Sequence, residues 1–247
     1  MNLLHEFVSK NRMMSRVLER KYPSFYASEP YRDELLGRIL SSVTSGDDYS
    51  ILEVGGIDRP LLKKDSGFTY DGLDIESRER CYDIYDHFIV QSIEDNIKKK
   101  YDCIISSTLL EHVPNNAEGF HSIFNALNAS GATHHYLPSK WHPYAMALRM
   151  IGPKLQQRLI PILRPHAVEV TGYPAYFNHC SPVGMRKLLR ERGFTQIDIK
   201  AYFRANDYFA FFVPLFVIVS AFENLCKKMG WEIFASGFVM SAKKPEC

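Results

Sequence analysis

Short apolar runs that alternate with helix-like segments constrain this chain more than any other feature. Four runs in its first half end in small, polar or acidic residues and are typical of strands in a buried parallel sheet. They are SILEVGG (50–56), FTYDGLDIE (68–76), HFIVQ (87–91) and YDCIISS (101–107). Weaker runs at 132–138, 195–203 and 235–244 predict three more strands. Such alternation predicts an α/β fold, a mostly parallel sheet flanked by helices.

Three segments have the spacing of amphipathic helices. Residues 116–131 predict a helix that Gly131 stops, and residues 181–192 predict one that Ser181 caps and Gly193 closes. Residues 31–43 predict a helix with five apolar side chains on its core face: Tyr31, Leu35, Ile39, Leu40 and Val43.

Composition narrows the class of protein. The chain has 247 residues, of which 46% are hydrophobic, so it has enough apolar sequence to bury a core. A formal net charge of +2 argues against binding of nucleic acid through a bulk basic field. The five cysteines are scattered without a CxxC pair, which predicts neither disulfides nor a metal site and favours a reducing, cytoplasmic setting.

Two segments raise the question of a membrane. The run at 208–222 is strongly apolar but contains Pro214, and it is shorter than the roughly 20 residues that a spanning helix needs. We expect a buried helix there, or peripheral contact with the inner face of the membrane. The first 21 residues lack the apolar core of a secretory signal. We favour a helix packed on the domain, with a membrane-surface helix as the alternative.

The turn after the first strand is the first candidate site. Gly55 and Gly56 allow a ligand to approach the backbone closely at the carboxyl end of a strand. A pyrophosphate site would need further glycines, whereas Ile57 and Asp58 follow here. Glu53 and Asp58 would repel phosphates and suit a cationic ligand. This pattern disfavours an NAD(P)-dependent oxidoreductase.

Asp74 is the second candidate. It ends the second strand about 20 residues after the glycine turn, the spacing at which a carboxylate reaches the hydroxyls of a ribose. We expect Asp74 and Glu53 to face one shared cleft.

Four motifs in this order resemble the class I S-adenosylmethionine (SAM)-dependent methyltransferases, particularly their type 11 branch. They are ILEVGG, YDGLDIE, QSIED and LLEHVPN, and the resemblance covers roughly residues 48–200. It implies a Rossmann-like sheet of strand order 3-2-1-4-5-7-6 with strand 7 antiparallel, and SAM as the cofactor. It also implies one domain with N-terminal helices (1–47), a SAM-binding core (48–137), a helical lid insertion (138–180) and a C-terminal core (181–247) with an apolar insertion (207–229).

The resemblance also implies roles for single residues. Glu53, Gly55 and Gly56 would line the methionine end of SAM, and Asp74, followed by Ile75, would hold the ribose. Ser92 and Ile93 would border the adenine, and Ser106 and Ser107 would lie under the cofactor. Two positions depart from the family: Ile57 stands where a glycine is usual, and Ser92 where Asp is frequent.

The acceptor side is less defined. His179 matches a family histidine that could take a proton from a hydroxyl, or it could simply precede the helix at 181. Trp141, His142 and Tyr176 are candidates to line the acceptor pocket. The lid and the apolar insertion suggest O-methylation of a small-molecule, glycan or lipid-linked acceptor. A catalytically degenerate binding or scaffold protein is the alternative.

Overall fold

The computed structural model describes residues 3–43, 49–64, 67–152, 155, 158 and 174–246. These residues divide into two compact units. The sheet unit comprises Pro30–Pro138, Ala175–Lys200 and Phe238–Cys247, and the helical unit comprises Met1–Glu29, Ser139–Pro174 and Ala201–Gly237. The prediction of a single domain therefore stays a prediction. Part of the predicted lid, 153–154, 156–157 and 159–173, lies outside the described residues.

A seven-stranded sheet contains all the predicted strands, in the predicted order 3-2-1-4-5-7-6. The first four strands are parallel to their neighbours, and the register places Val54 opposite Leu73. The strands are β1 (Ser50–Val54), β2 (Thr69–Asp74), β3 (Phe88–Val90), β4 (Tyr101–Ser107), β5 (Leu127–Pro138), β6 (Thr195–Tyr202) and β7 (Gly237–Lys243).

Strand β7 runs antiparallel to its neighbours. Near one end of β5 the amide of Lys244 donates to the carbonyl of Gly131, and near the other the amide of Ser139 donates to that of Ser236. The amide of Ser236 also donates to the carbonyl of Tyr202 at the far end of β6. Residue numbers rise along β5 and β6 where those of their partners on β7 fall, which is antiparallel pairing. The mixed sheet confirms the predicted fold class.

Among the described residues, four α-helices belong to the sheet unit. These are α3 (Tyr31–Ser42), α4 (Cys81–Ile84), α5 (Asn116–Ala126) and α7 (Pro182–Glu191). Two of them, α5 and α7, begin at a polar side-chain cap. The Ser181 hydroxyl accepts from the amide of Gly184, and the Asn115 side chain accepts from those of Ala117 and Glu118. Both bonds satisfy amides that have no partner in the first helical turn.

Two sequence expectations about these helices are wrong. Helix α5 ends at Ala126 instead of Gly131, because Leu127 already pairs with Tyr101 as the start of β5. Leu40 is 58% exposed, whereas Leu35 and Ile39 are fully buried. The apolar stripe of α3 is therefore narrower than its sequence suggests.

The helical unit contains α1 (Leu3–Lys21), α2 (Pro23–Tyr26), α6 (Pro143–Ile151) and α8 (Val213–Met229). Its core includes Tyr26, Ala210 and Phe216, and the rings of Tyr26 and Phe216 stack at 5.1 Å. The Arg204 guanidinium ties α2 to α8, since it donates to backbone carbonyls at 23, 24 and 27 and to the side chain of Asn224. Within the described part of the chain, no helix is long and apolar enough to span a bilayer.

Candidate functional site

The glycine turn lies at the carboxyl end of β1, where parallel sheets hold their ligands. Gly55 has a φ of +83°, and a Cβ there would be 2.8 Å from the side chain of Leu109. Gly56 has no room either, because its Cβ would overlap the Tyr85 hydroxyl and lie 2.6 Å from the carboxyl carbon of Glu53. Side chains are thus excluded at both positions, and the backbone is left bare.

Glu53 braces this turn from inside the protein. Its carboxyl group is 2% exposed and accepts hydrogen bonds from the Leu61 amide and from the hydroxyls of Tyr70 and Tyr85. Burial raises its pKa to about 7, against the lowering effect of those bonds. All three donors come from the protein itself. The Glu53 side chain therefore packs against Gly56 and the core. The sequence predicted instead that it faces a cleft shared with Asp74.

Asp74 occupies the next strand end. The Gly55 amide donates to the Leu73 carbonyl at 2.8 Å, so Asp74 follows directly after the residue paired with the turn. Its Oδ1 accepts from the Glu76 amide at 3.1 Å, and burial raises the pKa of this carboxyl group. The adjacent Ile75 side chain is 59% exposed. The structure thus brings the glycine turn and Asp74 together, as the sequence predicts.

Ile57 and Asp58 complete the turn. Ile57 has a φ of +43°, the left-handed region that β-branched residues rarely adopt. The resemblance to the methyltransferases predicts glycine at this position. Desolvation opposes ionisation of Asp58, but the ion pair with Arg78 at 2.8 Å outweighs it, and the pKa of the carboxyl group is lowered. Its charge is therefore compensated, and the argument that it repels phosphates is weaker than the sequence suggested.

The loop after β3 holds Ser92 and Ile93. The Ser92 hydroxyl accepts from the Glu94 amide at 3.1 Å, and the Ser92 amide donates to Asp95. Ile93 is buried, so its side chain is part of the core. The loop joins the same edge of the sheet, because the Gln91 amide donates to the carbonyl of Asp74.

The two serines at the end of β4 differ. Ser106 is fully buried and lies 2.6 Å from Nδ1 of His135, whose pKa is lowered to about 3 by burial. Thr133 gives its proton to the carbonyl of Ile104, so Nε2–H of His135 donates to Thr133 and Ser106 donates to Nδ1. Ser107 is half-buried and lies at the strand end. Ser107 is thus the serine with access to this edge.

Sequence reasoning missed Glu111, in the turn after β4. It is 5% exposed, its Oε2 has no partner among the described residues, and burial raises its pKa to about 8. Its carbonyl accepts from the amides of Tyr176 and Phe177 at 2.8 and 3.0 Å. The available signal was a carboxylate that directly follows two leucines in LLEHV.

The two hydrogen bonds to the Glu111 carbonyl fix the segment that contains the predicted acceptor residues of the sheet unit, Tyr176 and His179. Tyr176 is 52% exposed, and His179 is exposed with a φ of +58°. Asn116 at the start of α5 fixes the loop further, since its side chain donates to the carbonyl of Asn178 at 2.6 Å. The segment with Tyr176 and His179 is therefore held against the turn that follows β4.

Trp141 and His142 belong to the helical unit. The Trp141 ring is 38% exposed and has the cations of Lys140 and Arg149 at 5.3 and 5.5 Å. His142 is 1% exposed, and its Nε2 lies 2.8 Å from Glu223. Because Nδ1 accepts from the Tyr144 amide, Nε2 is the nitrogen that donates. Both ring nitrogens are thus used within the unit.

These features suit an adenosyl ligand better than a metal. The bare backbone at Gly55 and Gly56 leaves room for a close approach, and Asp74 offers an acceptor for ribose hydroxyls. Across the described ranges, no group of three or more His, Cys, Asp and Glu side chains could hold a metal ion. The mixed sheet of this order, with a glycine turn and a carboxylate at adjacent strand ends, defines the class I SAM-dependent methyltransferases.

Comparison with known proteins agrees. The model of a methyltransferase domain matches residues 26–199, and the chain belongs to this family, whose cofactor is SAM. The type 11 branch stays a prediction. No curated protein sequence matches the chain significantly.

Solved structures share the fold at low identity. Phosphoethanolamine N-methyltransferase 2 of Haemonchus contortus, in complex with SAM, is 10% identical with a TM-score of 0.54, and the match covers 100% of this chain and 61% of that one. A SAM-dependent methyltransferase from Archaeoglobus fulgidus is 14% identical (TM-score 0.51, 92% and 98% covered). The 4+2 cyclase SpnF is 13% identical (TM-score 0.55, 87% and 81% covered). The chain thus spans less than two thirds of the N-methyltransferase, and such identities show the fold alone.

Proposed function

We propose that this protein transfers a methyl group from SAM to an oxygen atom of a small-molecule, glycan or lipid-linked acceptor. One observation carries the proposal: Gly55 and Asp74 are neighbours at the carboxyl ends of β1 and β2, joined by the bond between the Gly55 amide and the Leu73 carbonyl. A backbone without side chains beside a carboxylate suits a ribosyl ligand whose other end is cationic.

Each residue at this edge of the sheet would contact a different part of SAM. Asp74 would accept hydrogen bonds from both ribose hydroxyls, and the bare turn at Gly55 and Gly56 would admit the amino-acid end of the cofactor. The Ser92–Ile93 loop would border the adenine, and Ser107 would lie beneath the ligand. The role of Glu53 is to hold the turn, since Leu61, Tyr70 and Tyr85 occupy its carboxyl oxygens. SAM supplies a methyl group on a sulfonium, ready for in-line displacement.

Transfer to a hydroxyl requires a group that removes its proton. His179 is the exposed imidazole on the loop tethered to Glu111, and it is our candidate for the base. Burial raises the pKa of Glu111 to about 8, which favours its protonated form at neutral pH. The amides of Tyr176 and Phe177 donate to the Glu111 carbonyl, so the His179 loop is anchored beside Glu111, and we place the acceptor there. The protein's main contribution is then to position the acceptor and to exclude water.

Ligand binding tests the proposal first. We would measure the thermal unfolding of the protein with SAM, S-adenosylhomocysteine and NADH, and of Asp74→Ala with the same ligands. A ligand at about 100 times its Kd adds about 2.7 kcal/mol of stability. We expect this gain with both adenosyl ligands, its loss in Asp74→Ala and its retention in Asp33→Ala, which removes an exposed carboxylate of α3. A response to NADH alone would refute the proposal.

Transfer is a separate measurement. Incubation with methyl-labelled SAM and separate panels of hydroxyl and amine acceptors should label the hydroxyl panel, and His179→Gln should lower the rate of that transfer. Label on amines alone would refute O-methylation. Binding of S-adenosylhomocysteine without transfer to any acceptor would instead favour a catalytically degenerate protein of this fold.

A further inference from the structure

Helix α1 buries a partly polar face and leaves most of its large apolar side chains exposed. Val8, Arg12 and Ser15 are its buried residues, and two of them are polar. The Ser15 hydroxyl donates to the Ala210 carbonyl, and the Asn11 side chain accepts from the Val213 amide at 3.0 Å. The face that holds α1 to the helical unit is therefore mixed: these hydrogen bonds stand beside the buried Val8 and beside Leu18, which packs against the core of Tyr26, Ala210 and Phe216. A surface helix usually attaches through an almost entirely apolar stripe.

The opposite face is apolar and exposed. Met13 and Met14 are 61% and 55% exposed, although methionine side chains are usually buried in folded proteins. We call this face, with Leu4 at its margin, the α1 surface. Its apolar residues are Leu3, Leu4, Phe7, Met13, Met14 and Val17.

The start of α8 extends this surface. The rings of Phe7 and Phe212 lie 6.3 Å apart, and Phe212 is 41% exposed. An exposed apolar area shared by two helices is larger than the scattered apolar side chains normal for a protein surface.

Positive charge surrounds the same area. Helix α1 contains five Lys and Arg residues against two Glu, and four of the five cations remain once Arg12, which is buried on the opposite face, is set aside. The exposed part of α1 thus has a net charge of +2, as large as that of the whole chain. Arg16, Arg20 and Lys21 are exposed, and Lys10 pairs with Glu6 one turn earlier. Lysine and arginine at the edge of an apolar helix face complement the anionic headgroups of a bilayer.

We propose that the α1 surface docks on an anionic lipid bilayer, with α1 parallel to the membrane plane. At 1.5 Å per residue its 19 residues give a contact about 28 Å long. The apolar side chains would enter the headgroup boundary, and the basic residues would meet the phosphates. The proposal is independent of methyl transfer, since none of these residues belongs to the candidate cofactor site.

Co-sedimentation with vesicles tests the proposal on the full chain. The probes are vesicles of phosphatidylcholine alone and of phosphatidylcholine mixed with phosphatidylglycerol. We expect binding to the mixed vesicles only, with loss at about 1 M salt, where the Debye length falls to about 3 Å.

Two variants on exposed positions test the two components separately. Phe7→Ser/Met14→Ser should weaken vesicle binding by at least about tenfold per side chain. Arg16→Gln/Arg20→Gln should weaken it by about fivefold per charge, or about 25-fold in total. The matched control Lys187→Gln/Arg190→Gln removes two exposed cations from α7 and should bind like the unmodified protein. Thermal unfolding checks that each variant is folded.

Three results would overturn the proposal. The first is a protein that does not sediment with the mixed vesicles. The second is a control variant that loses as much binding as the α1 variants. The third is a concentration-dependent dimer in sedimentation velocity that Phe7→Ser/Met14→Ser abolishes, because a second copy would then cover the surface. Binding of S-adenosylhomocysteine, measured on the same samples, reports on the cofactor site separately.

Discussion

Replacing Glu53 by glutamine should make this protein more stable at neutral and alkaline pH, although it removes a charge from a hydrogen-bonded site. Glu53 is 2% exposed, and burial raises its pKa from 4.5 to about 7. Glutamine resembles the protonated carboxyl group in size and in its carbonyl acceptor for the Leu61 amide. The variant therefore resembles the protein with Glu53 held neutral at every pH.

The sign follows from proton binding. Above pH 4.5 the unfolded chain releases the Glu53 proton, whereas the folded chain keeps it until about pH 7. The folded state binds more protons in this window, so the free energy of unfolding falls as pH rises through it and is constant above it. A shift of this size corresponds to about 3 kcal/mol. Glutamine has no proton to release at this position, so the free energy of unfolding of Glu53→Gln does not show this fall.

Urea unfolding of both proteins from about pH 5 to pH 8 measures the difference. We expect similar stabilities at the acidic end and an advantage for Glu53→Gln that grows to about 3 kcal/mol above pH 7. Glu111 also titrates near this range but is present in both proteins, so its effect cancels in the difference. The control Glu79→Gln alters an exposed carboxylate and should follow the unmodified protein.

Parallel curves would refute this reasoning. A constant difference between the two proteins at all pH values would mean that Glu53 is already ionised in the folded state. In that case the hydroxyls of Tyr70 and Tyr85 and the Leu61 amide would stabilise the charge enough to offset its burial.

Three further substitutions probe the turn and the nearby helix. Gly56→Ala should destabilise the protein by about 1–3 kcal/mol in urea unfolding, because its Cβ would overlap Tyr85, and it should abolish the thermal shift with S-adenosylhomocysteine. Ile57→Gly should be at least as stable as Ile57→Ala, because a left-handed φ costs an L-residue about 1–2 kcal/mol; the usual order, with alanine about 1 kcal/mol ahead, would contradict this. Asn115→Ala should cost about 1 kcal/mol through the lost cap of α5, and an unchanged urea midpoint would argue against that cap.

Local patterns were enough for most of the elements. Apolar runs that end in small, polar or acidic residues predicted the strands of the sheet, and Ser181 with Pro182 marked the start of α7. The boundary between α5 and β5 was wrong, because Leu127 continues the helical spacing of apolar residues. Leu127 pairs with Tyr101 of β4, and the sequence around Leu127 contains no sign of that pairing.

The amino-acid sequence by itself determined the class of fold, the glycine turn and the position of Asp74, since each depends on residue types within a few positions of one another. Only the tertiary structure decided what these groups contact. It enclosed Glu53 with tyrosines 17 and 32 residues away, and it buried Glu111 with one oxygen that has no partner among the residues the structure describes. It also left most of the large apolar side chains of α1 exposed. Burial and partnership depend on which distant segments meet, and periodicity along one segment carries no information about that.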